Sequence, residues 1–268
     1  MKKFSNTYIY IYSAGIVAVV AVVLSVVAMS LREKQNDNIR NEKMQVLLQA
    51  IGVNCTRDEA SEMYLQYFDQ ELTVGTDGTT LSIYNVQDDK MEQGDVRAFN
   101  IKLKEQQTLE KNGKQGAFPV YVFNKDGKKG YVIPTQGTGL WGAVYSNIAL
   151  AEDLNTVIGV TFSHDGETPG LGAEITTEKF QAPFIGKQIL DENGQVVSIA
   201  VKKKADAAAL HEVDAITGGT MTSNGVDEML RVDLMRYQKF IDANRVATVA
   251  TVESVAVENT NEEEVSHE

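Results

Sequence analysis

The sequence predicts an α+β protein: a single N-terminal transmembrane helix followed by one soluble mixed α/β domain. Three observations carry this expectation. Tyr8 to Leu31 is a run of 24 residues without a charge. Short alternating apolar runs and helical patterns share the stretch from about residue 56 to Arg245. Beyond Arg245 the composition turns acidic, with Thr, Val, Asn and Ser. The expected organisation is an anchor over 1–32, a juxtamembrane helix over 33–55, a soluble domain over 56–245 and an acidic, disordered tail over 246–268.

As a helix, the uncharged run would span ~36 Å at ~1.5 Å per residue, enough to cross a ~30 Å hydrocarbon core with some tilt. Ile16 to Val27 is almost wholly Val, Ala, Leu and Ile, and Tyr8, Tyr10 and Tyr12 gather at one end, where aromatic rings favour the headgroup region. The rival is a cleaved signal peptide, with Lys2 and Lys3 as its basic start and Ala28-Met29-Ser30 as a loose cleavage site. The apolar core of such a peptide runs ~7–15 residues, so a retained anchor is the preferred reading. Counting Lys2 and Lys3 against Arg32, Lys34, Arg40 and Lys43 slightly favours a cytoplasmic domain, but Glu33, Asp37 and Glu42 interleave with the latter. No later run reaches ~18 apolar residues, so the remainder reads as water-soluble.

Composition excludes several functions. The formal charge is −12, and six acidic residues with no basic one lie between Val246 and Glu268, so half of that charge sits on the tail. Such a balance speaks against nucleic acid, whose affinity comes from clustered Lys and Arg. A lone Cys55 provides neither an internal disulfide nor a four-cysteine zinc or iron–sulfur site. Its neutral reading is a small buried apolar residue. His164, His211 and His267 share no metal-ligand spacing.

Along the soluble part, Met44, Leu47, Leu48 and Ile51 recur at helical spacing, and Arg57 to Phe68 reads as a second helix with Thr56 as N-cap. Leu81–Val86, Pro119–Phe123, Gly130–Ile133, Val144–Leu150, Thr156–Phe162 and Gln195–Val201 are strand candidates. The second and third of these flank a Gly-containing hairpin turn, and Asp191 to Gly194 is another turn. Glu174–Phe180 suggests a short helix. Ser223–Ala243 is the strongest soluble helix, with Asp227 and Glu228 expected in its first turn and Arg236 and Lys239 near its end, as the helix dipole favours.

Three glycine-containing segments stand out: Gly137-Thr138-Gly139-Leu140-Trp141-Gly142, Gly166 to Glu174, and Asp214 to Gly225. Singly, each reads as a turn, and Trp141 as a core residue. The third has more content, because two glycines and four hydroxyl residues lead straight into the strongest helix. The first amides of a helix lack internal partners and, with the macrodipole, suit an anion such as phosphate. The segment has no lysine, so it is not a triphosphate-binding P-loop, and the absence of βαβ units argues against a Rossmann fingerprint.

Asp214-x-x-Thr217-Gly218-Gly219-Thr220 resembles the D-x-x-[ST]-G-A-T flavinylation motif. The longer string TGGTMTSNGVDEML, with GETPGLGAEI and GTGLWG upstream, is similar to the C-subunit family of the sodium-translocating NADH:quinone reductases. The G subunit of the related Rnf electron-transport complex, which shares E-T-P-G-L-G, is the runner-up. A reading from another class is an anchored, non-redox binding module whose glycine loops are only turns.

The resemblance implies an FMN-binding domain with FMN esterified through its phosphate to Thr220, by a separate flavin transferase using FAD. Asp214 would be a recognition or activation group for that enzyme, or simply a turn residue. Thr217, Gly218, Gly219, Thr222 and Ser223 would surround the phosphate. Glu167, Thr168, Gly170, Leu171 and Gly172 would turn against the isoalloxazine ring, with Leu140 and Trp141 covering another face. Gly219 departs from the usual Ala, and modification is expected to survive the smaller residue. The family reading further implies an electron-relay subunit of a multi-subunit respiratory complex that couples NADH oxidation by quinone to sodium export. The complex would sit in the bacterial inner membrane, with this soluble domain on the periplasmic side. No side chain need act as acid, base or nucleophile in turnover.

Overall fold

The computed structural model describes residues 5–245; Lys2, Lys3 and the acidic tail at 246–268 lie outside the described residues. A continuous helix, α1 (Asn6–Ala50), merges the expected anchor and juxtamembrane helix into one rod of 45 residues. At ~1.5 Å per residue this rod is about 68 Å long. Its apolar run is exposed throughout, and burial begins only at Met44, Leu47, Leu48 and Ala50, where the rod meets the domain. The rod is long and apolar enough to cross a membrane. It stops five residues before Cys55: Gly52 takes a left-handed φ of +72°, and its N–H donates to the Gln49 carbonyl. Such glycine C-caps close helices because no Cβ opposes the turn.

The second helix, α2 (Ala60–Tyr67), begins later than expected. Thr56 instead forms a preceding turn in which its N–H and hydroxyl both donate to the Glu59 carboxylate, at 2.9 and 2.8 Å. Seven strands follow: β1 (Phe68–Gly75), β2 (Thr80–Asn85), β3 (Lys90–Gln93), β4 (Ala117–Lys125), β5 (Lys128–Thr138), β6 (Ala143–Ala151) and β7 (Val157–His164). They form one antiparallel sheet in the order β3-β2-β1-β4-β5-β6-β7. The β4–β5 hairpin closes on Asp126 and Gly127, both left-handed at φ +55° and +73°, the geometry that matches strand twist. Helix α3 (Leu103–Lys111) crosses between β3 and β4.

Strand alternation sorts the two faces. Val120, Val122, Tyr131, Ile133, Ile148 and Leu150 face the larger core with α5 (Thr220–Met235) and the segments after β7. Tyr121, Phe123, Val132 and Ala149 face α2 and the end of α1. The period-2 rule thus gives a sheet covered on both sides. Beneath α2, the Glu71 carboxylate is fully buried and accepts from Tyr64, Arg97 and the Phe99 amide.

Several expectations are corrected here. The segment Glu174–Phe180 divides into a 3-10 turn at Gly172–Thr176 and a short helix, α4 (Glu178–Gln181). Of the strand expected at Gln195–Val201 only Ala200 and Val201 are in a strand, β8 (Ala200–Lys202), which pairs in parallel with β9 (Glu212–Asp214). Ser198 at φ +66° breaks the extension upstream. Helix α5 starts at Thr220, so Asp227 and Glu228 fall mid-helix and its first turn holds no acid. Asp227 accepts from the Val201 N–H at 2.8 Å, and Glu228 pairs with Arg231. The regular helix ends at Met235; after a turn at 236–237 the chain is helical again over 238–245.

The α1 rod docks through a backbone contact. A Cβ at Gly159 in β7 would collide with the Ala50 carbonyl oxygen at the end of α1. Gly159→Ala is therefore expected to destabilise the domain by about 1–3 kcal/mol, the usual cost of overpacking a fixed backbone, as read from the midpoint of urea unfolding.

Candidate functional site

The three glycine segments meet at one edge of the fold. The first is the β5–β6 connection, the second follows β7, and the third leads into α5. One side chain ties them together. Glu167 is buried at 4% exposure and accepts from the Thr222 hydroxyl at 2.5 Å and from the Trp141 amide at 2.9 Å. Its own amide donates to His164 Nδ1 at 3.1 Å. Burial by itself pushes the Glu167 carboxyl upward; the Thr222 hydroxyl and the Trp141 and Leu140 amides outweigh it and hold the group below the ordinary glutamate value.

The glycines follow from this closeness. A Cβ at Gly139 would strike one Glu167 oxygen, and a Cβ at Gly172 would strike the other oxygen and the Thr222 hydroxyl. A Cβ at Gly225 would strike the Thr138 carbonyl. Gly218 has φ +81° and sits against Leu171, where a Cβ would lie 2.9 Å from Leu171 Cδ2.

Thr220 is the first residue of α5 and is exposed, with Gly219 as the residue before the helix. The three converging segments carry exposed apolar groups: Leu140 at 50%, Trp141 at 69%, Leu171 at 44% and Met221 at 59%. Trp141 is thus not a core residue, and Met221, which sequence reasoning did not single out, is a further candidate exposed in the first turn of α5. Its signal was its place beside Thr220 in the helix's first turn. Thr168 and Gly170 are exposed and shape the loop: the Thr168 carbonyl accepts from Leu171 and Ala173 N–H, and Gly170 N–H donates to Glu174. Thr217 is exposed.

Two hydroxyls expected beside a phosphate are engaged elsewhere. Thr222 and Ser223 are buried at 1%; Thr222 bonds Glu167, and Ser223 Oγ accepts from the Ile216 N–H at 3.1 Å. Asp214 ends β9, and its carboxylate accepts from the Ala205 N–H at 2.7 Å rather than from residues 217–223. Among the described residues no cluster of His, Cys, Asp and Glu could hold a metal ion.

The residues present fit a flavin mononucleotide. An exposed hydroxyl at a helix N-terminus with free first-turn amides suits a phosphate. Exposed Leu, Trp and Met side chains suit a flat aromatic ring. The family model for FMN-binding domains matches residues 139–234, the stretch that contains all three converging segments except Gly137 and Thr138. Fold and site thus define an FMN-binding domain carried on an apolar N-terminal helix.

The relatives narrow this further. The C subunit of the Na(+)-translocating NADH-quinone reductase of Vibrio parahaemolyticus is 31% identical over 223 residues, covering 79% of this chain and 84% of that protein. Its counterpart in Vibrio anguillarum is 32% identical over 210 residues, with 78% and 82% covered. The crystal structure of the C subunit from Parabacteroides distasonis superposes with a TM-score of 0.68 at 37% identity, covering 79% of this chain and 96% of that one. The chain belongs to the family of C subunits of the Na(+)-translocating NADH-quinone reductases.

Replacing Glu167 tests the clasp. In Glu167→Gln the amide NH2 opposes one of the backbone or hydroxyl donors, and we expect a loss of roughly 1–3 kcal/mol in unfolding experiments. In the parent, a carboxyl held below its ordinary 4.5 stabilises the fold fully above that pH. This stabilisation is lost as pH falls through the lower folded value. Thermal melts from pH 7 to 2.5 should show this acid-side loss in the parent, and a smaller one in Glu167→Gln.

Proposed function

We propose that this chain is the covalently flavinylated electron-relay subunit of a membrane complex that couples NADH oxidation by quinone to sodium export. The carrying observation is exposed Thr220 at the start of α5, on one of three segments that the Glu167 clasp joins and that together carry four exposed apolar side chains. When bound, FMN supplies the redox chemistry. The protein's residues supply attachment, orientation and environment.

In attachment, the Thr220 oxygen forms a bond to the FMN phosphorus of FAD, AMP leaves, and the hydroxyl proton passes to solvent or to the flavin transferase that catalyses the step. The first-turn amides of α5 then offer hydrogen bonds to the phosphate oxygens. Leu171 stands against Gly218 and Gly219, so one apolar contact is fixed next to the attachment point. Leu140 and Trp141 are held by the same carboxylate that holds α5. Thr217 and Thr168 are the hydroxyls left exposed for polar contacts. Asp214, turned to its own loop, serves the transferase by shaping the segment it reads. Gly219 in place of Ala goes with Ile216, whose Cγ2 would lie 3.0 Å from an added Cβ. The apolar rod of α1 anchors the subunit in the bacterial inner membrane with its domain on the periplasmic side, among the other subunits of the complex.

The test is attachment itself. Co-produced with a flavin transferase, the parent is expected to stay fluorescent through denaturing electrophoresis and to gain the mass of FMN less one water on the peptide holding Thr220. Thr220→Ala should lose both signals and Thr220→Ser should keep them. A colourless parent with an unmodified peptide points instead to a non-redox binding module.

A further inference from the structure

A cavity lies on the α1 side of the sheet, away from α5. It measures about 860 Å³ and is lined by Lys43, Leu103, Leu109, Tyr121, Pro134 and Tyr145, among others. That volume is typical of a small-molecule site. Helix α3 forms one wall: Leu103 and Leu109 both line this space, Leu103 while packing in part against the larger core.

Two polar groups in the walls have unmet capacity. The Tyr121 hydroxyl is buried and has no hydrogen-bond partner. Buried orphan donors are rare in native proteins and call for an explanation. Lys43 Nζ carries three donors, yet its side chain makes one hydrogen bond, to the Phe99 carbonyl at 2.5 Å. It also lies 4.5 Å from the centre of the Phe99 ring and 5.8 Å from that of Tyr121, and Lys43 and Tyr121 both line the cavity. Lys43 stands well beyond the apolar run of α1. Burial pushes its ammonium down to about 8, against the pull of Glu71, with Arg97 adding to the depression.

The cavity continues toward the membrane. A groove of about 530 Å³ shares Lys43, Ile101 and Lys102 with it and extends along α1 to Arg40, Ile39 and Asn36. No acidic residue lines this groove. Ile39 is an exposed apolar residue on it, at 66%. Lys43 is twelve residues past Leu31, or ~18 Å along the helix, and Asn36 only about 8 Å past it. The groove therefore starts near the headgroup layer, where basic pockets attract acidic lipid. The one acid at the cavity, Glu105, is paired with Lys102 at 3.1 Å.

We propose that this cavity is a second ligand site, taking an anionic lipid with its acidic head at Lys43 and Tyr121 and its chain along the apolar wall. The site is independent of flavin attachment.

The test uses the full-length chain in phosphatidylcholine nanodiscs and photoreactive diazirine probes on one oleyl chain: the free acid, its phosphatidylglycerol, and the uncharged alcohol. At least one acidic probe should label residues 101–109 or 134–147 at least tenfold more than the alcohol does, and the stronger of the two identifies the head. Lys43→Met and Tyr121→Phe should each cut that labelling about tenfold. Tyr121→Phe should leave the melting temperature of lipid-free protein undiminished, because its hydroxyl makes no internal bond. Equal labelling by the alcohol, labelling confined to residues 8–31, or unchanged labelling in both variants overturns the proposal. So does a photo-crosslinker placed at Leu109 that captures a polypeptide instead of lipid in native membranes.

Discussion

The candidate site depends on one buried carboxylate receiving several donors. Glu167 could not be satisfied by a single loop: its hydroxyl donor comes from α5 and its amide donors from the β5–β6 connection. An ionised carboxylate is acceptor-only at both oxygens, so it suits a place where every neighbour is an N–H or O–H. A glutamine there would present a donor to a donor. The requirement propagates into the sequence as glycines. Positions 139 and 172 must lack a Cβ for the two oxygens to be reached, and position 225 must lack one for α5 to approach the Thr138 carbonyl. The three glycine segments that look like separate turns in the sequence are parts of one clasp.

A second buried acid fixes the helix that bears Thr220. Asp233 accepts from the Gln136 amide at 2.8 Å and from Gln107, and it pairs with Arg236. It thereby holds the far end of α5 to β5, while Thr222 and Glu167 hold the near end. Gly137 permits the close approach between them, since a Cβ there would lie 2.6 Å from Met229 Cβ. On the other face of the sheet, Glu71 does the equivalent for the segment before α3, binding Arg97 and the Phe99 amide. Both carboxylates are sequestered in pairs with arginine, where loss of one partner costs far more than the pair contributes net.

Much of this was legible from residues alone, and the failures have physical causes. The apolar run, five of the strands and the existence of α5 follow from periodicity and turn chemistry. Strand β1 is hidden because Asp69, Gln70 and Glu71 break its apolar alternation, and Glu71 is buried by pairing rather than by being apolar. Helix α3 is hidden because none of its residues is fully buried, so it has no clear apolar stripe. The start of α5 reads three residues late because Thr220, Met221 and Thr222 look like loop; their helical role depends on a carboxylate 55 residues away in sequence. For the same reason the site was legible as a set of segments but not as a geometry. The segments that hold Thr220 and the loop residues meet at one edge, whereas the Thr222 and Ser223 hydroxyls bond within the fold, and Trp141 is exposed.

The outward turn of Trp141, Leu140, Leu171 and Met221 bears on why a tether would be needed. Small-molecule sites usually bury ~70–90% of their ligand, and that burial is the main source of affinity. Four half-exposed side chains on a surface cannot enclose a tricyclic ring in this way, so a flavin resting there would exchange with solvent. A phosphoester at the proposed Thr220 site would separate retention from enclosure: the bond would keep the flavin, and the ring edge would stay open to a redox partner. The same logic accounts for the stiffness of the support. A ring held by a covalent bond at one end would be positioned only as well as its attachment residue, and the helix that begins at Thr220 is held by buried acids at Thr222 and at Asp233. Strand β7 extends that fixation toward the membrane. Gly159 lies against the end of α1, and the strand runs on for five residues, about 17 Å at ~3.3 Å per residue, to His164, whose ring accepts from the Glu167 amide, so one strand links the rod to the clasp.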